Sequence, residues 1–372
     1  MQSGLAMARG TVVVHAARPP HFWRCHEGIT LCGVAASIAR FKGFDYGGHW
    51  DGPRPGCLFF VPDETLLRPH AEGLGILGSD DLFGGIVPHA FVQTKIITHP
   101  LVTATAERPD GWSDAFTRRS RQGVLPGYSA FGRRDAAEAV GRLLAIGPVR
   151  AKLPRAAGAR EQYTLESRRD LDALIGRVSD TELAEHGVVF ETNLEPATTF
   201  SIGLVTLDDL TIAYHGRQWL GRDNAGRSVY GGSALTCVRG GWDALERLDV
   251  EPAVGLAIRQ ARIYDGATEE YGIIASRRNY DVGQGIDARG HRRSGVFEAS
   301  WRLGGASPAE LAAVHLFAES PSLEVVQAST VEAYGRNAEP PPGAIVHFHG
   351  EDEQDGPMTR YTVATPALER VA

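Results

Sequence analysis

The sequence predicts a multi-lobed α/β protein, and three observations lead there. Short apolar runs of strand type alternate with stretches whose apolar residues recur at helical spacing. The chain has 372 residues, more than one compact core holds, which implies two or three lobes. Its hydrophobic content of 43% and charged content of 22% are those of a soluble globular protein.

In chain order, residues 11–15 and 57–61 read as short buried strands, with 73–77 a further candidate and a helix over 26–42. Together they make a small α/β lobe. The segment "DDLFGGIVPHAFVQTKIITHP" is rich in turn residues and carries no clear period. A helix is expected over 112–123, and "VLPGYSAF" leads into the helical "RRDAAEAVGRLLAIG", with Gly147 just past its end. A strand "PVRAKLP", a small-residue loop "AAGAR", a strand "EQYTLE", a helix capped by Ser167 and a strand "GVVFETNLE" complete a second lobe. The alternating runs "FSIGLVTL" and "LTIAYHGRQWL" open a third. It continues through a helix over "EPAVGLAIRQARIYDGAT", strands at "GIIASRRNYDV" and "GVFEAS", a helix from 308 and a strand near 323–331. A proline-rich tail then carries one short strand and an acidic turn. These signals place the lobes at 1–110, 111–198 and 199–372.

A formal net charge of −7 and the absence of any basic block argue against a nucleic-acid binder. No apolar run approaches the ~20 residues that span a bilayer, and no secretory apolar segment opens the sequence. A cytoplasmic protein without membrane contact is expected. Cys25, Cys32, Cys57 and Cys237 form no CxxC pair and read as buried or free thiols. Among 38 cationic residues only Lys42, Lys95 and Lys152 are lysines. A lysine kept in so arginine-rich a chain is a candidate for a place that needs a compact ammonium.

The chemistry concentrates in two stretches. Asp281 and Glu298 lie on neighbouring strands joined by the glycine-rich "GQGIDARGHRRS", and antiparallel neighbours can point the same way. A buried acid needs a positive partner. That partner is either a hard cation such as Mg²⁺, or one of Arg277, Arg278 and Arg302, which could equally hold an anion beside the metal. Earlier, Lys152 ends a strand ahead of the small-residue loop, and a later strand ends in Glu191. A strand lysine beside a flexible loop suits phosphate oxygens, although the Walker pattern GxxxxGK[ST] is absent. The alternative is a plain Lys152–Glu191 ion pair at a sheet rim. His347 and His349 share one face of "IVHFHGEDE" and read as a strand face. Cys25, His26 and Glu27 are adjacent on a helix and do not face one another.

Lysine strand, small loop, hinge acid, then an Asp strand and Glu-x-Ser-x-Arg-x-Gly-Gly resemble the ATP-grasp superfamily over residues 110–310. There "VVFETNLE" looks like the hinge and "YDVGQGIDARGHRRSGVFEASWRLGGAS" like the metal-binding hairpin. More closely, "DDLFGGIVPHAF", "LPGYSAF", "SRRNYDV" and "STVEAYG" resemble an uncharacterised, mostly proteobacterial ATP-grasp-like family. The resemblance implies an α/β (α+β), three-lobed ATP-grasp architecture with a small N-terminal α/β pre-ATP-grasp domain. It implies ATP and Mg²⁺ as cofactors, and small-molecule carboxylate and nucleophile substrates; a homodimer is left open.

By the same resemblance, Lys152 contacts ATP phosphates, and Gly158 with its neighbours forms the lid over them. Glu191 accepts from the adenine amino group, the backbone at Asn193 and Leu194 pairs with adenine, and Glu195 meets the ribose. Asp281 and Glu298 hold Mg²⁺ with Ser300 as a third ligand. Arg278 steadies the transferred phosphoryl group, Arg302 shapes the anion pocket, and Lys95 is a candidate second ATP lysine. Three positions depart from the family pattern. Ser300 stands where asparagine is usual, the lid has one glycine, and no acid occupies Thr198–Phe200. The implied activity is a carboxylate–amine ligase; a kinase and an inactive scaffold are the alternatives.

Overall fold

The computed structural model describes residues 10–54, 56–153 and 162–367. β1 (Thr11–His15), β2 (Asp45–His49) and β3 (Leu58–Pro62) form a parallel sheet in the order β2-β1-β3. The connection from β1 to β2 is α1 (His26–Lys42), and Gly43 ends it at φ 64°, a left-handed turn open to a residue without Cβ. Residues 73–77 are not a strand. β4 (Leu66–Leu67) precedes them, and α2 (Arg68–Gly73), started by Pro69, runs into a turn where Gly75 has φ 79°. β5 (Gly85–Val87) and two 3₁₀ turns, Ala90–Gln93 and Lys95–Thr98, fill the turn-rich segment. Thr94 caps the second turn through its hydroxyl.

α3 (Asp114–Ser120), capped by Ser113, leads to a four-stranded antiparallel sheet. Its elements are β6 (Gly127–Ala130), α4 (Arg133–Leu144), β7 (Val149–Lys152), β8 (Gln162–Leu165), α5 (Arg168–Ile175), α6 (Asp180–His186) and β9 (Val188–Thr192). The strand order is β6-β9-β7-β8. α4 buries Ala136, Ala139, Val140 and Leu143, the helical spacing read from the sequence. Ser167 and Asp170 close a capping box on α5, worth about 1 kcal/mol.

The rest of the chain is an eight-stranded antiparallel sheet with helices on both faces. β10 (Ala197–Leu207), β11 (Leu210–Arg222) and β12 (Ser228–Arg239) are long strands, followed by α7 (Trp242–Glu246) and α8 (Pro252–Ala267). β13 (Ile274–Ala275) returns to pair with β5, completing the small sheet β13-β5-β4. β14 (Arg277–Ile286), β15 (Arg292–Ser300), α9 (Ser307–Glu319), β16 (Val325–Tyr334), β17 (Ile345–Asp352) and β18 (Gly356–Pro366) follow, in the order β15-β14-β10-β11-β12-β16-β18-β17. The tail therefore contains two full strands rather than one short one. Along β14, Arg277 reaches Glu310 of α9 while Arg278 reaches Asp265 of α8. Successive strand residues point to opposite faces, so α8 and α9 cover opposite sides of the sheet.

One apolar core runs from the four-stranded sheet through α8 to the β10–β14–β15 end of the large sheet. A second joins α1 and the parallel sheet to α9. The segment leading into β6 meets the large sheet where Val124 bridges Val296 of β15. Gly295 permits that approach, since a Cβ there would lie 2.3 Å from the Leu125 nitrogen.

Candidate active site

Lys152 and Glu191 sit on one face of the four-stranded sheet. β7 and β9 run antiparallel with Lys152 opposite Val189 and Arg150 opposite Glu191, so Lys152 and Glu191 are diagonal neighbours. Lys152 Nζ lies 2.5 Å from Glu191 Oε1, with both side chains almost wholly buried. The other carboxylate oxygen, Oε2, is 3.0 Å from Nε2 of His99, a fully buried ring. Burial on its own would raise the Glu191 carboxyl; Lys152 and then His99 overcome it and hold the group down at about 2. The rim ion pair weighed from sequence is thus present, but it is buried and has a third member.

The hinge after β9 is pinned to both sheets. Asn193 N–H donates to Pro148 O at 3.1 Å, and Glu195 N–H donates to Ile286 O of β14 at 3.0 Å. Arg150 Nε donates to Asn193 Oδ1 at 3.0 Å, and Asn193 Nδ2 donates to Glu195 Oε1 at 2.9 Å. Leu194 is buried against Gly285, and Glu195 is exposed.

On the hairpin, Asp281 stands directly opposite Glu298, and Asn279 opposite Ser300. The register then slips, with Val282 opposite Val296, leaving Phe297 as the extra residue of a bulge. Burial first, and Glu298 second, push the Asp281 carboxyl up to about 7. Gln218 Nε2 donates to Asp281 Oδ1 at 2.9 Å. The cation that reaches the pair is Lys95, whose Nζ is 3.4 Å from Glu298 Oε2 and whose side chain is buried.

The arginines lie elsewhere. Arg277 is fully buried, bound by both oxygens of Glu310, and donates to the Arg302 carbonyl at 2.5 Å. Arg278 is one residue out of phase with Asp281 and points to the α8 face, 2.9 Å from Asp265. Its expected role on the transferred phosphoryl does not fit that placement. The side chain of Arg302 bonds the carbonyl of Leu303. No arginine therefore pairs with Asp281 or Glu298 among the described residues.

The two halves face each other across a narrow gap. Lys152 Nζ lies 4.2 Å from the centre of the Phe297 ring, so the bulge carries a ring from the hairpin to the lysine strand. Lys95 and His99 are the residues that sequence reading underweighted. Lys95 lies 57 positions before Lys152 in the chain (152 − 95), yet the Lys95–Thr98 turn packs against β6, β9 and β15 together. The scarcity of lysine was the available signal. His99 carried none beyond its place in the turn-rich segment.

Two carboxylates with a hydroxyl at Ser300 on the same strand face form a donor set that fits a hard cation whose remaining ligands come from phosphate. Among the described residues no group of three or more His, Cys, Asp or Glu side chains is assembled as a metal site. His347 and His349 each bond a threonine of β18, as a strand face does. Gly158 and the lid loop lie outside the described residues. No helix among the described residues is long and apolar enough to cross a membrane.

Residues 12–362 match the family described as "Protein of unknown function (DUF3182)". No curated protein matches the chain in sequence. Solved structures match it across nearly its whole length. N5-carboxyaminoimidazole synthase from Aspergillus clavatus, in complex with ADP and 5-aminoimidazole ribonucleotide, is 12% identical with a TM-score of 0.52, covering 97% of this chain and 96% of that one. Biotin carboxylase from Campylobacter jejuni, in a β-γ-ATP complex, is 10% identical with a TM-score of 0.51, covering 96% and 87%. The fold is the ATP-grasp fold.

Proposed function

The chain belongs to the DUF3182 family, and from the geometry of its cleft we propose that it is an ATP- and Mg²⁺-dependent ligase that activates a carboxylate as an acyl-phosphate. The observation that carries this is the opposed pair Asp281 and Glu298, which no arginine bridges among the described residues and which Lys95 approaches from one side. Two like charges held together destabilise the free protein and are relieved by a divalent cation. Mg²⁺, held by Asp281 and Glu298 with Ser300 nearby, supplies charge neutralisation on the phosphates. Lys152 and Lys95 place two ammonium groups on either side of the same space. Asn193 and Leu194, on a hinge tied to both sheets, suit a nucleobase edge. Closure of the lobes at 1–110, 111–198 and 199–372 excludes water from the acyl-phosphate, and an amine or similar nucleophile then displaces phosphate. Structures of similar fold bind ATP or ADP, which supports the nucleotide half of this reading.

The test starts with Mg-ATP-dependent thermal stabilisation, followed by ADP release against pools of carboxylates and amines with hydroxylamine present. A ligase gives carboxylate-dependent ADP release and a trapped hydroxamate. ADP release without hydroxamate identifies a kinase, and absence of nucleotide binding removes the proposal.

A further inference from the structure

His99 has no role in the reading above, yet it is the most enclosed titratable side chain in the cleft. It is fully buried, and among the described residues its polar partner is Glu191 Oε2 at 3.0 Å. An ionised carboxylate only accepts hydrogen bonds, so the imidazole Nε2 must carry the proton and donate it. The other ring nitrogen, Nδ1, is buried and has no hydrogen-bond partner among the described residues. A proton there would be a buried donor with no acceptor, so of the two neutral tautomers the geometry selects the one with the proton on Nε2. The ring is seated on Gly127 of β6, where a Cβ would come within 2.8 Å of Nδ1 and Cε1. Main-chain contacts hold the segment in place: Ser129 Oγ donates to Ile96 O at 2.5 Å, and Ser129 N–H donates to Pro100 O at 2.9 Å.

The consequence concerns Lys152. In the free protein its ammonium is bound to Glu191 Oε1 and lies over Phe297. To reach a phosphate it must turn from the carboxylate without drawing it along. A buried carboxylate with a single partner follows its counter-charge; one anchored through its second oxygen stays. We infer that His99 is a positioning residue, which by fixing Glu191 sets the direction in which Lys152 presents its ammonium to a nucleotide phosphate. This rests on the proposed nucleotide site. The 3₁₀ turn that precedes His99 also carries Lys95 to Glu298, so one five-residue segment, Lys95 to His99, sets a cation on each side of the cleft.

The experiment compares His99→Leu, His99→Gln and Lys152→Met, alone and combined, in the full chain. The glutamine amide can donate to Glu191, while leucine cannot. His99→Leu is expected to weaken Mg-ATP binding about tenfold by calorimetry, the loss of one hydrogen bond to a charged group, with His99→Gln close to wild type. The double variant His99→Leu/Lys152→Met should bind no more weakly than Lys152→Met alone. Unchanged binding in His99→Leu, equal losses in both His99 variants, or additive losses in the double variant overturn the inference. A second readout needs no nucleotide. In histidine-labelled free protein, ¹⁵N NMR should show the His99 proton on Nε2, with a resonance that moves on Lys152→Met. Absence of a proton on Nε2, or indifference to Lys152, sinks the positioning role. A wild type that binds no Mg-ATP but passes the NMR arm removes the nucleotide reading and leaves only a structural triad.

Discussion

Lys152 shows how burial changes what a substitution reports. Read from sequence, Lys152→Met removes a phosphate contact and leaves the free protein almost unchanged. In the structure it also strips Glu191 of its ammonium, with His99 as the remaining partner. The variant should therefore keep only a weak, still measurable Mg-ATP stabilisation and also cost about 3 kcal/mol in denaturant unfolding of the free protein. Glu191 and Asp281 give pH dependences of opposite sign. Glu191 is depressed from 4.5 to about 2, so its contribution is complete above 4.5 and is lost as pH falls toward 2. Asp281 is raised from 3.8 to about 7, so the folded state holds its proton more tightly and stability falls as pH rises from 4 through 7. Asp281→Asn should abolish that decline, leaving the free protein about 2 kcal/mol more stable than wild type at pH 8. Urea titrations at pH 5 and 8 read it directly. A wild type more stable at pH 8 than at pH 5, with Asp281→Asn unchanged, would mean the two acids do not repel.

Among the elements, those whose period is long enough to count were legible and the others were not. α1, α4, α8 and α9, and the strands at 11–15, 149–152 and 188–192, fall where spacing and caps put them. β12 escaped because "SVYGGSALTCVR" is interrupted by a glycine pair; it pairs with both β11 and β16 through backbone bonds that composition does not announce. α6 is a short polar helix that buries only Leu183, too little for a periodic signal. Residues 73–77 carry apolar side chains at Leu74 and Ile76, but α2 runs through Gly73 and Gly75 at φ 79° turns the chain, so no strand forms. Of the site, Asp281, Glu298, Lys152 and Glu191 were readable because strand position fixes which way a side chain points. Lys95 and His99 were not, because a turn-rich segment has no period from which to infer direction. The close approach of Val124 and Leu125 to β15 depends on one glycine. Gly295→Ala would set a methyl group against the backbone of Val124 and Leu125. It should cost about 3 kcal/mol and open amide exchange at residues 121–125 and 292–300 before the rest of the fold.

At the scale of the whole molecule, the chain divides its arginines and acids into separate networks. Arg277 feels the charge of Asp281, but its hydrogen bonds go to the architecture instead. Arg277 leaves β14 near one edge of the large sheet and meets Glu310 of α9, which also accepts from Tyr214 OH of β11 at 2.7 Å. Through its third nitrogen it holds the carbonyl of Arg302 where the hairpin leaves the sheet. Four parts of the molecule thus meet at one cation–anion pair with no exposure to solvent. Burial drives down the charge on Arg277, but Glu310 more than restores it, so the guanidinium stays charged at any accessible pH. Removing one partner leaves the other as an uncompensated buried charge, whereas removing both leaves an apolar gap that neighbouring side chains can line. Arg277→Met alone should cost about 3–5 kcal/mol, and Arg277→Met with Glu310→Leu should recover most of it. The melting temperatures of the single and double variants decide the matter. Equal losses in both would show that the network contributes through packing rather than charge. Glu298→Gln, by contrast, strands no buried arginine: it removes the charge facing Lys95 but also relieves the repulsion on Asp281, so the free protein should stay folded while Mg²⁺-dependent nucleotide binding is lost. The difference between those two substitutions, one unfolding the sheet and the other silencing only the cleft, is what separate architectural and functional charges predict.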